Sequence, residues 1–314
     1  MHADAMSTTV HEFEGDRLLM SYVVTTEAVS QSSLTVVTGY EALLKSHGLD
    51  SLDALFTLRD AELLDKPGLE PWRQRLRVVL DDDGRRRTFY LKRFRQPPRS
   101  ALRDVRRSGS GANSVAGAEW TWMHRLARDG IACVTPVAFG EEFRGGREYR
   151  SAILSAEVPG VSLETWARQC ESSHASAVRG LVEPVAQLVA RLHARGYVHR
   201  DLYLSHVFYD ASATPSDSFH LIDLQRVKRP SCCRTRWIVK DLASLNYSTP
   251  TNVATRTDRL RWLRIYLEAT DSFDHSAAGR SVTKVARRLI YRIDRKTRRI
   301  ARHDRRRSDR QGAA

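Results

Sequence analysis

The chain has 314 residues, of which 41% are hydrophobic, and 51 Lys and Arg outweigh 37 Asp and Glu to give a net charge of +14. No apolar run approaches the roughly 18 residues of a membrane-spanning helix, and the four cysteines lack the spacing of a disulfide framework or a zinc site. Composition therefore excludes transmembrane, collagen-like and disulfide-rich miniprotein classes, and the N-terminal residues lack a signal-peptide pattern, which predicts a cytoplasmic protein.

The first half of the chain is rich in strand patterns. Residues 75–80 and 87–94 alternate apolar and polar side chains on either side of Asp83-Gly84, a turn pair typical of a β-hairpin. The other elements predicted in this half are a partly helical stretch over 34–65, a helix over 115–128 capped by Ser114, and strands over 131–139 and 151–158.

The second half is predominantly helical. Apolar residues on one face predict a helix over 181–192, with Pro184 in its first turn, where proline is tolerated. Short strands are predicted over 207–209 and 219–224, and helices beyond residue 237. This order predicts an α+β fold of two lobes, a sheet followed by a helical bundle.

These patterns divide the chain into four predicted segments. They are an N-terminal extension over 1–65, an N-terminal lobe over 66–158, a C-terminal lobe over 159–279, and a basic amphipathic helix and tail over 280–314.

Two acidic residues and a histidine lie where predicted elements of the second half begin or end. Asp201 follows a helix, His206 comes five residues later, and Asp223 follows a short apolar strand. Phosphoryl transfer needs a carboxylate that orients and deprotonates the attacking hydroxyl, and ligands for the Mg²⁺ that bridges the phosphates. It also needs a cation on the non-transferred phosphates, which Lys92 can supply if Glu119 on the next helix holds it in place. The set therefore matches the needs of phosphoryl transfer.

The motifs around these residues carry a family resemblance. His199-Arg200-Asp201 resembles the catalytic loop of the protein-kinase-like fold, and Ile222-Asp223-Leu224 stands where protein kinases have Asp-Phe-Gly. Together with Lys240-Asp241-Leu242-Ala243, they make the chain similar to the lipopolysaccharide kinase (Kdo/WaaP) family over about residues 75–270. That family phosphorylates sugars of the lipopolysaccharide inner core from ATP. The resemblance implies a protein-kinase-like two-lobe fold, with an N-terminal antiparallel sheet carrying one helix and a C-terminal helical lobe.

The resemblance also implies a role for each matching residue. Asp201 would be the catalytic base, Asp223 would bind Mg²⁺, and His206 would occupy the second metal-ligand position. Lys92 would bind the α- and β-phosphates of ATP, with Glu119 as its ion-pair partner. Imidazole is a softer ligand than Mg²⁺ prefers, so a hydrogen bond to Asp201 or to a phosphate is the alternative role for His206.

Several neighbouring residues are interpreted as structural. Asp241 is expected to brace the loop that contains Asp201 from a buried helix. His193 and His199 are expected to be structural, and His199, just before Arg200-Asp201, is expected to pack and to bond to the backbone. The tryptophans assigned to the core are Trp120, Trp122, Trp237 and Trp262.

The positive charge is concentrated in three strips. Residues 280–310 contain 14 Lys and Arg against 3 Asp and Glu, residues 85–107 contain 10 against 1, and residues 226–240 contain 6 against none. Apolar residues of 280–302 fall within about 100° of a helix circumference and arginines occupy the rest. This helix is interpreted first as docked on the helical lobe, second as lying on an anionic membrane, and third as binding nucleic acid.

The sequence therefore predicts a kinase that uses ATP and Mg²⁺ to phosphorylate a sugar hydroxyl of a lipopolysaccharide core or similar anionic envelope glycolipid. Its expected location is the cytoplasm, with peripheral contact at the cytoplasmic face of the inner membrane. The alternatives are a protein or small-molecule kinase of the same fold and a catalytically inactive kinase-like binding module. A protein kinase would phosphorylate its own Ser, Thr or Tyr residues, and a thermal shift with ATP and Mg²⁺ would be missing from an inactive module that does not bind them.

Overall fold

The computed structural model describes residues 22–26, 32–64, 70–169, 175–214, 218–273 and 282–312. These residues belong to two compact units, one drawn from Met1–Arg125 and Val134–Val158, the other from Leu126–Cys133 and Pro159–Ala314. Among the described helices, none is long and apolar enough to cross a membrane.

The first unit is built on a seven-stranded antiparallel sheet in the order β1-β2-β6-β7-β5-β4-β3. The strands are β1 (Tyr22–Thr26), β2 (Ser32–Val37), β3 (Glu62–Leu63), β4 (Arg73–Asp82), β5 (Arg85–Arg95), β6 (Pro136–Arg144) and β7 (Arg147–Ala156). The helices are α1 (Glu41–Ser46), α2 (Leu52–Thr57), α3 (Arg99–Arg106) and most of α4 (Val115–Arg128). Strands β1, β2 and β3 all come from the segment assigned to the N-terminal extension.

The predicted hairpin is confirmed as strands β4 and β5. Asp83 and Gly84 both have positive φ, 51° and 82°, as the tight turns that join twisted antiparallel strands require. Alternate residues of the strands are buried, among them Val78 on β4 and Leu91 on β5, and they pack with leucines of α1 and α2. Since strand side chains alternate between faces, Lys92 projects from the face opposite Leu91.

Helix α4 begins where the sequence predicted. The Ser114 Oγ accepts a hydrogen bond from the Gly117 N–H at 3.0 Å, which satisfies one of the free amides of the first turn. The side chains of Glu148 and Ser151 on β7 accept the N–H groups of Val115 and Ala116. The N-terminus of α4 is therefore capped by Ser114 and fixed to the sheet by two side chains of β7.

The second unit is mainly helical, as predicted. Its helices are α5 (Leu163–Gln169), α6 (Ala175–Ala194), α7 (Arg234–Ser248), α8 (Arg256–Phe273) and α9 (Val282–Gly312). A small sheet joins β8 (Val161–Ser162), β9 (Val207–Tyr209) and β10 (Phe219–Leu221), and 3₁₀ turns cover Leu204–His206 and Leu224–Arg226. Helix α6 packs on α8, and α7 packs on α9.

The predicted start of the helix around Pro184 is wrong. Helix α6 begins at Ala175, so the proline lies in its interior and removes one main-chain hydrogen bond. The helix continues because its apolar face, including Val182, Ala186 and Val189, is buried. Tertiary burial here outweighs a local helix-breaking preference.

Helix α9 docks on the second unit, which confirms the first of the three interpretations of its basic amphipathic pattern. Ile293 is buried, and the Thr297 hydroxyl donates to the Ala243 carbonyl and accepts from the Asn246 amide, both on α7. Of the four tryptophans assigned to the core, Trp122 is fully buried, which confirms its assignment. The assignments of Trp120, Trp237 and Trp262 are wrong, because these residues are only partly buried.

Candidate active site

The loop that carries Asp201 is held by a buried carboxylate from α7. Asp241 is fully buried, and its two oxygens accept the main-chain N–H groups of His199 and Arg200, each at 2.7 Å. One of these oxygens also lies 3.3 Å from Nε2 of His193. The predicted bracing role of Asp241 is confirmed, and it fixes the backbone immediately before Asp201.

Two histidines connect this loop to the segment that contains Asp223. Nε2 of His199 donates to the Ile222 carbonyl at 3.0 Å, and Nδ1 of His206 donates to the Asp201 carbonyl at 2.7 Å. Burial lowers the pKa of His199, and the nearby His206 adds to this effect. Nε2 carries the proton that is donated to the Ile222 carbonyl. The expectation that His199 packs and bonds to the backbone is confirmed.

These contacts bring three of the predicted site residues together in the second unit. Nε2 of His206 lies 3.7 Å from Oδ2 of Asp223, and Asp201 is joined to the same imidazole through its carbonyl. Arg200 and Asp223 adopt left-handed backbone conformations, with φ of 71° and 57°. Non-glycine residues in this region are strained, and such strain concentrates at functional sites.

The donor set around Asp223 fits a magnesium ion that is completed by other ligands. Because Nδ1 of His206 donates to the Asp201 carbonyl, Nε2 is the ring nitrogen that lies near the Asp223 carboxylate. Within the described residues, no cluster of three His, Cys, Asp or Glu side chains could hold a metal ion. Mg²⁺ is normally bound by one or two carboxylates and fills its remaining positions with phosphate oxygens and water, so the Asp223 carboxylate fits it, while His206 adds only a softer imidazole ligand.

Two cations that the sequence did not indicate hold the carboxylate of Asp201. Nη1 of Arg226 lies 2.9 Å from both carboxylate oxygens, and Nζ of Lys240 lies 3.3 Å from Oδ1. Lys240 also donates to the Arg200 carbonyl. Burial lowers the pKa of Lys240, while the negative charge of Asp201 acts in the opposite direction.

The sequence contains weak signals that Arg226 and Lys240 lie near the site, but these signals do not assign either cation to Asp201. Arg226 follows Asp223 by three residues, and Lys240 immediately precedes Asp241. Lys240 belongs to the Lys240-Asp241-Leu242-Ala243 motif, and Arg226 lies two residues after Ile222-Asp223-Leu224, but only the folded loop and α7 show that they converge on Asp201.

The first unit carries the other predicted pair. Nζ of Lys92 on β5 lies 2.6 Å from Oε1 of Glu119 on α4. The Glu119 side chain is fully buried, whereas 17% of the Lys92 side chain is exposed. The carboxylate therefore fixes the lysine, whose side chain stays partly exposed.

Comparison with known proteins identifies relatives of this chain. The profile of the lipopolysaccharide kinase (Kdo/WaaP) family matches residues 70–266. The lipopolysaccharide core heptose(I) kinase WaaP of Pseudomonas aeruginosa is 36% identical over 154 residues, which are 47% of this chain and 58% of that protein. The Escherichia coli protein of the same name is 29% identical over 160 residues, 49% of this chain and 60% of that protein. The matched part of the chain thus spans under two thirds of these relatives.

A solved structure gives a longer match. A chain described as WaaP in complex with acyl carrier protein superposes with a TM-score of 0.61 and 27% sequence identity. The match covers 85% of this chain and 98% of that one, so the protein-kinase-like α+β fold extends over most of the residues.

Proposed function

Because the chain belongs to the lipopolysaccharide kinase (Kdo/WaaP) family, we propose that it transfers the γ-phosphoryl group of ATP to a sugar hydroxyl of a lipopolysaccharide core or similar envelope glycolipid. The products are the sugar phosphate and ADP. The observation that carries the proposal is the cluster formed by Asp201 and His206, which follow the backbone braced by Asp241, with Asp223 from the segment after β10. This cluster has the parts that phosphoryl transfer requires, and the family match supports their use for it.

Asp201 is the catalytic base of the proposed reaction. It accepts the proton of the sugar hydroxyl as the oxygen bonds to the γ-phosphorus and the bond to the β-phosphate oxygen breaks. Arg226 and Lys240 fix the orientation of its carboxylate, and Asp241 fixes the backbone before it. The base is therefore positioned before the acceptor arrives, which reduces the entropy lost on reaching the reactive geometry.

Lys92 binds the non-transferred phosphates, and Glu119 positions it through their ion pair. Asp223 and His206 would hold Mg²⁺, which when bound neutralises the charge of the phosphates. Nδ1 of His206 keeps its hydrogen bond to the Asp201 carbonyl, so that Nε2 is directed toward Asp223.

The experiment that tests the proposal is mass spectrometry of lipopolysaccharide from cells with and without the gene. We expect the core from cells lacking the gene to lack one phosphate, and the unmutated gene, but not the Asp201→Asn variant, to restore it. An unchanged core together with phosphorylated Ser, Thr or Tyr in the purified protein would favour a protein kinase instead. Failure of ATP and Mg²⁺ to shift thermal unfolding would favour an inactive binding module.

The proposed acceptor also implies a location. We place the protein in the cytoplasm at the inner face of the inner membrane, where a growing envelope glycolipid is accessible with ATP. Cell fractionation tests this: we expect part of the protein to sediment with inner membranes and to be released by salt, because the contact is electrostatic. Recovery in the cytosolic fraction alone would contradict it.

The solved relative suggests a protein partner as well. Since that chain is described in complex with acyl carrier protein, we propose that this chain binds an acyl carrier protein too. Copurification of a tagged chain with acyl carrier protein, identified by mass spectrometry, is the expected result. Purification of the chain alone at full thermal stability would contradict it.

A further inference from the structure

The second unit contains a pocket of about 740 Å³ whose lining is almost entirely cationic. Nine of its eleven lining residues are Arg or Lys, and no acidic residue is among those the structure places there. Helix α9 contributes five of the nine, α7 contributes two, and Arg200 and Arg226 complete the set. Two basic strips far apart in the sequence, 226–240 and 280–310, therefore face one cavity.

The pocket adjoins the proposed catalytic base. Arg226 and Lys240 line it, and the same two side chains contact the carboxylate of Asp201. A molecule bound in the pocket would therefore lie close to the carboxylate of Asp201, separated from it by no more than one side chain.

The charges on the α9 wall of the pocket are not neutralised by the protein. Within the residues that the structure describes, Arg292, Arg295, Lys296 and Arg299 form no ion pair with an acidic side chain. Burial, together with the like charges of Arg299 and Arg236, lowers the pKa of Lys296. Cations gathered in a concave surface raise the local concentration of anions, and arginines bind carboxylate and phosphate groups through paired hydrogen bonds.

Trp237 holds part of this arrangement in place. The guanidinium groups of Arg200 and Arg236 lie 5.2 and 5.6 Å from its ring centroid, and Nζ of Lys228 lies 5.0 Å away. Cation–π contacts at these distances orient the cations without neutralising them. The partly exposed tryptophan thus serves the pocket, which explains why it is not in the core.

We propose that this pocket binds the negatively charged carboxylate or phosphate groups of the acceptor, and so presents a neighbouring hydroxyl to Asp201. The proposal deepens the proposed function and rests on it for the nature of the acceptor. It assigns to substrate binding the five α9 cations that line the pocket. A flat membrane surface or a nucleic-acid backbone would meet the outward face of α9, whereas the cations that line the pocket converge on a cavity.

The test compares two pairs of exposed arginines on the same helix. In Arg295→Gln/Arg299→Gln both positions line the pocket, and in the control Arg287→Gln/Arg298→Gln neither does, although the charge removed is the same. The probe is the water-soluble core oligosaccharide obtained by deacylating lipopolysaccharide from cells lacking the gene. Calorimetry without ATP measures its Kd, and steady-state kinetics measure KM for the oligosaccharide and for ATP, with circular dichroism as the check on folding.

We expect the pocket variant to raise both Kd and KM for the oligosaccharide by about 10- to 100-fold, and to leave KM for ATP unchanged. The control variant should match the unmutated chain. The same oligosaccharide with its phosphates removed and carboxylates reduced should bind the unmutated chain as weakly as the charged form binds the pocket variant.

Equal oligosaccharide binding by the two variants would overturn the proposal. So would a raised KM for ATP alone, or a loss of binding to phosphatidylglycerol vesicles or single-stranded DNA with oligosaccharide binding intact. Failure of the proposed kinase function can be distinguished from failure of the pocket proposal. If the unmutated chain binds the oligosaccharide through its charges but does not phosphorylate it, the kinase function is contradicted and the pocket proposal is not.

Discussion

The bracing of the catalytic loop by Asp241 yields a prediction whose size follows from the structure. In Asp241→Asn the side chain keeps its shape, but one accepting oxygen becomes an NH₂ group that faces a main-chain N–H of His199 or Arg200. A hydrogen bond to a charged group contributes about 1.5–3 kcal/mol, and a buried donor left without an acceptor costs about 1–3 kcal/mol. Burying the neutral Asn amide costs less than burying the charged Asp carboxylate, which offsets part of these losses. We therefore expect a net loss of about 2–4 kcal/mol in the free energy of unfolding.

Urea unfolding followed by circular dichroism measures this loss, and the midpoint of thermal unfolding should fall by about 3–6 °C. We also expect kcat to fall by about 10- to 100-fold, because a small displacement of Asp201 misplaces the proton acceptor. The matched control is Asp294→Asn, an exposed residue on α9, which should change stability by less than about 0.5 kcal/mol. A loss below about 1 kcal/mol with full activity in Asp241→Asn would refute the bracing role.

Three further predictions concern stability. Lys92→Ala leaves the buried carboxylate of Glu119 without this partner, and should lower the free energy of unfolding measured in urea by about 3–5 kcal/mol. The double variant Lys92→Ala/Glu119→Gln should recover most of this loss, and losses that add in the double variant would contradict the prediction. Burial raises the pKa of Glu148 to about 7, so the folded state holds its proton more tightly than the unfolded chain. The free energy of unfolding should therefore fall by about 3 kcal/mol as pH rises from about 4.5 through 7. In Glu148→Gln this fall should be missing, and identical dependence of stability on pH in the two chains would contradict the prediction. A methyl group at Gly160 would lie 2.1 Å from a carbonyl oxygen of β9, and the backbone there has a φ of +82°. Gly160→Ala should therefore lower the free energy of unfolding by about 2–5 kcal/mol. Gly130→Ala, which has open space around its Cβ, should lower it by only about 1 kcal/mol, and equal losses would contradict the prediction.

The features that the sequence predicted correctly depend on local patterns. The hairpin follows from alternation around Asp83-Gly84, because the turn chemistry and the strand period act over a few residues. The grouping of Asp201, His206 and Asp223 followed from the spacing of known motifs. Their roles in catalysis stay predictions, as do the roles of Lys92 and Glu119 and the division of the chain into four segments.

The features that the sequence missed depend on tertiary placement. Lys240 reaches Asp201 across 39 residues of chain, and Arg226 reaches it across 25. Neither contact has a periodicity that a sequence window could detect. The sequence likewise did not indicate that the basic strips 226–240 and 280–310 form one surface, because only the packing of α9 on α7 brings them to one pocket.

The most direct test of the central claim is phosphate transfer by Asp201→Asn. The assay follows labelled γ-phosphate from ATP to lipopolysaccharide isolated from cells lacking the gene, with the unmutated chain as reference. We predict a fall in kcat of at least about 100-fold, because the amide cannot accept the hydroxyl proton, while ATP still shifts thermal unfolding. Turnover close to that of the unmutated chain would contradict the assignment of Asp201 as the base and, with it, the proposed mechanism.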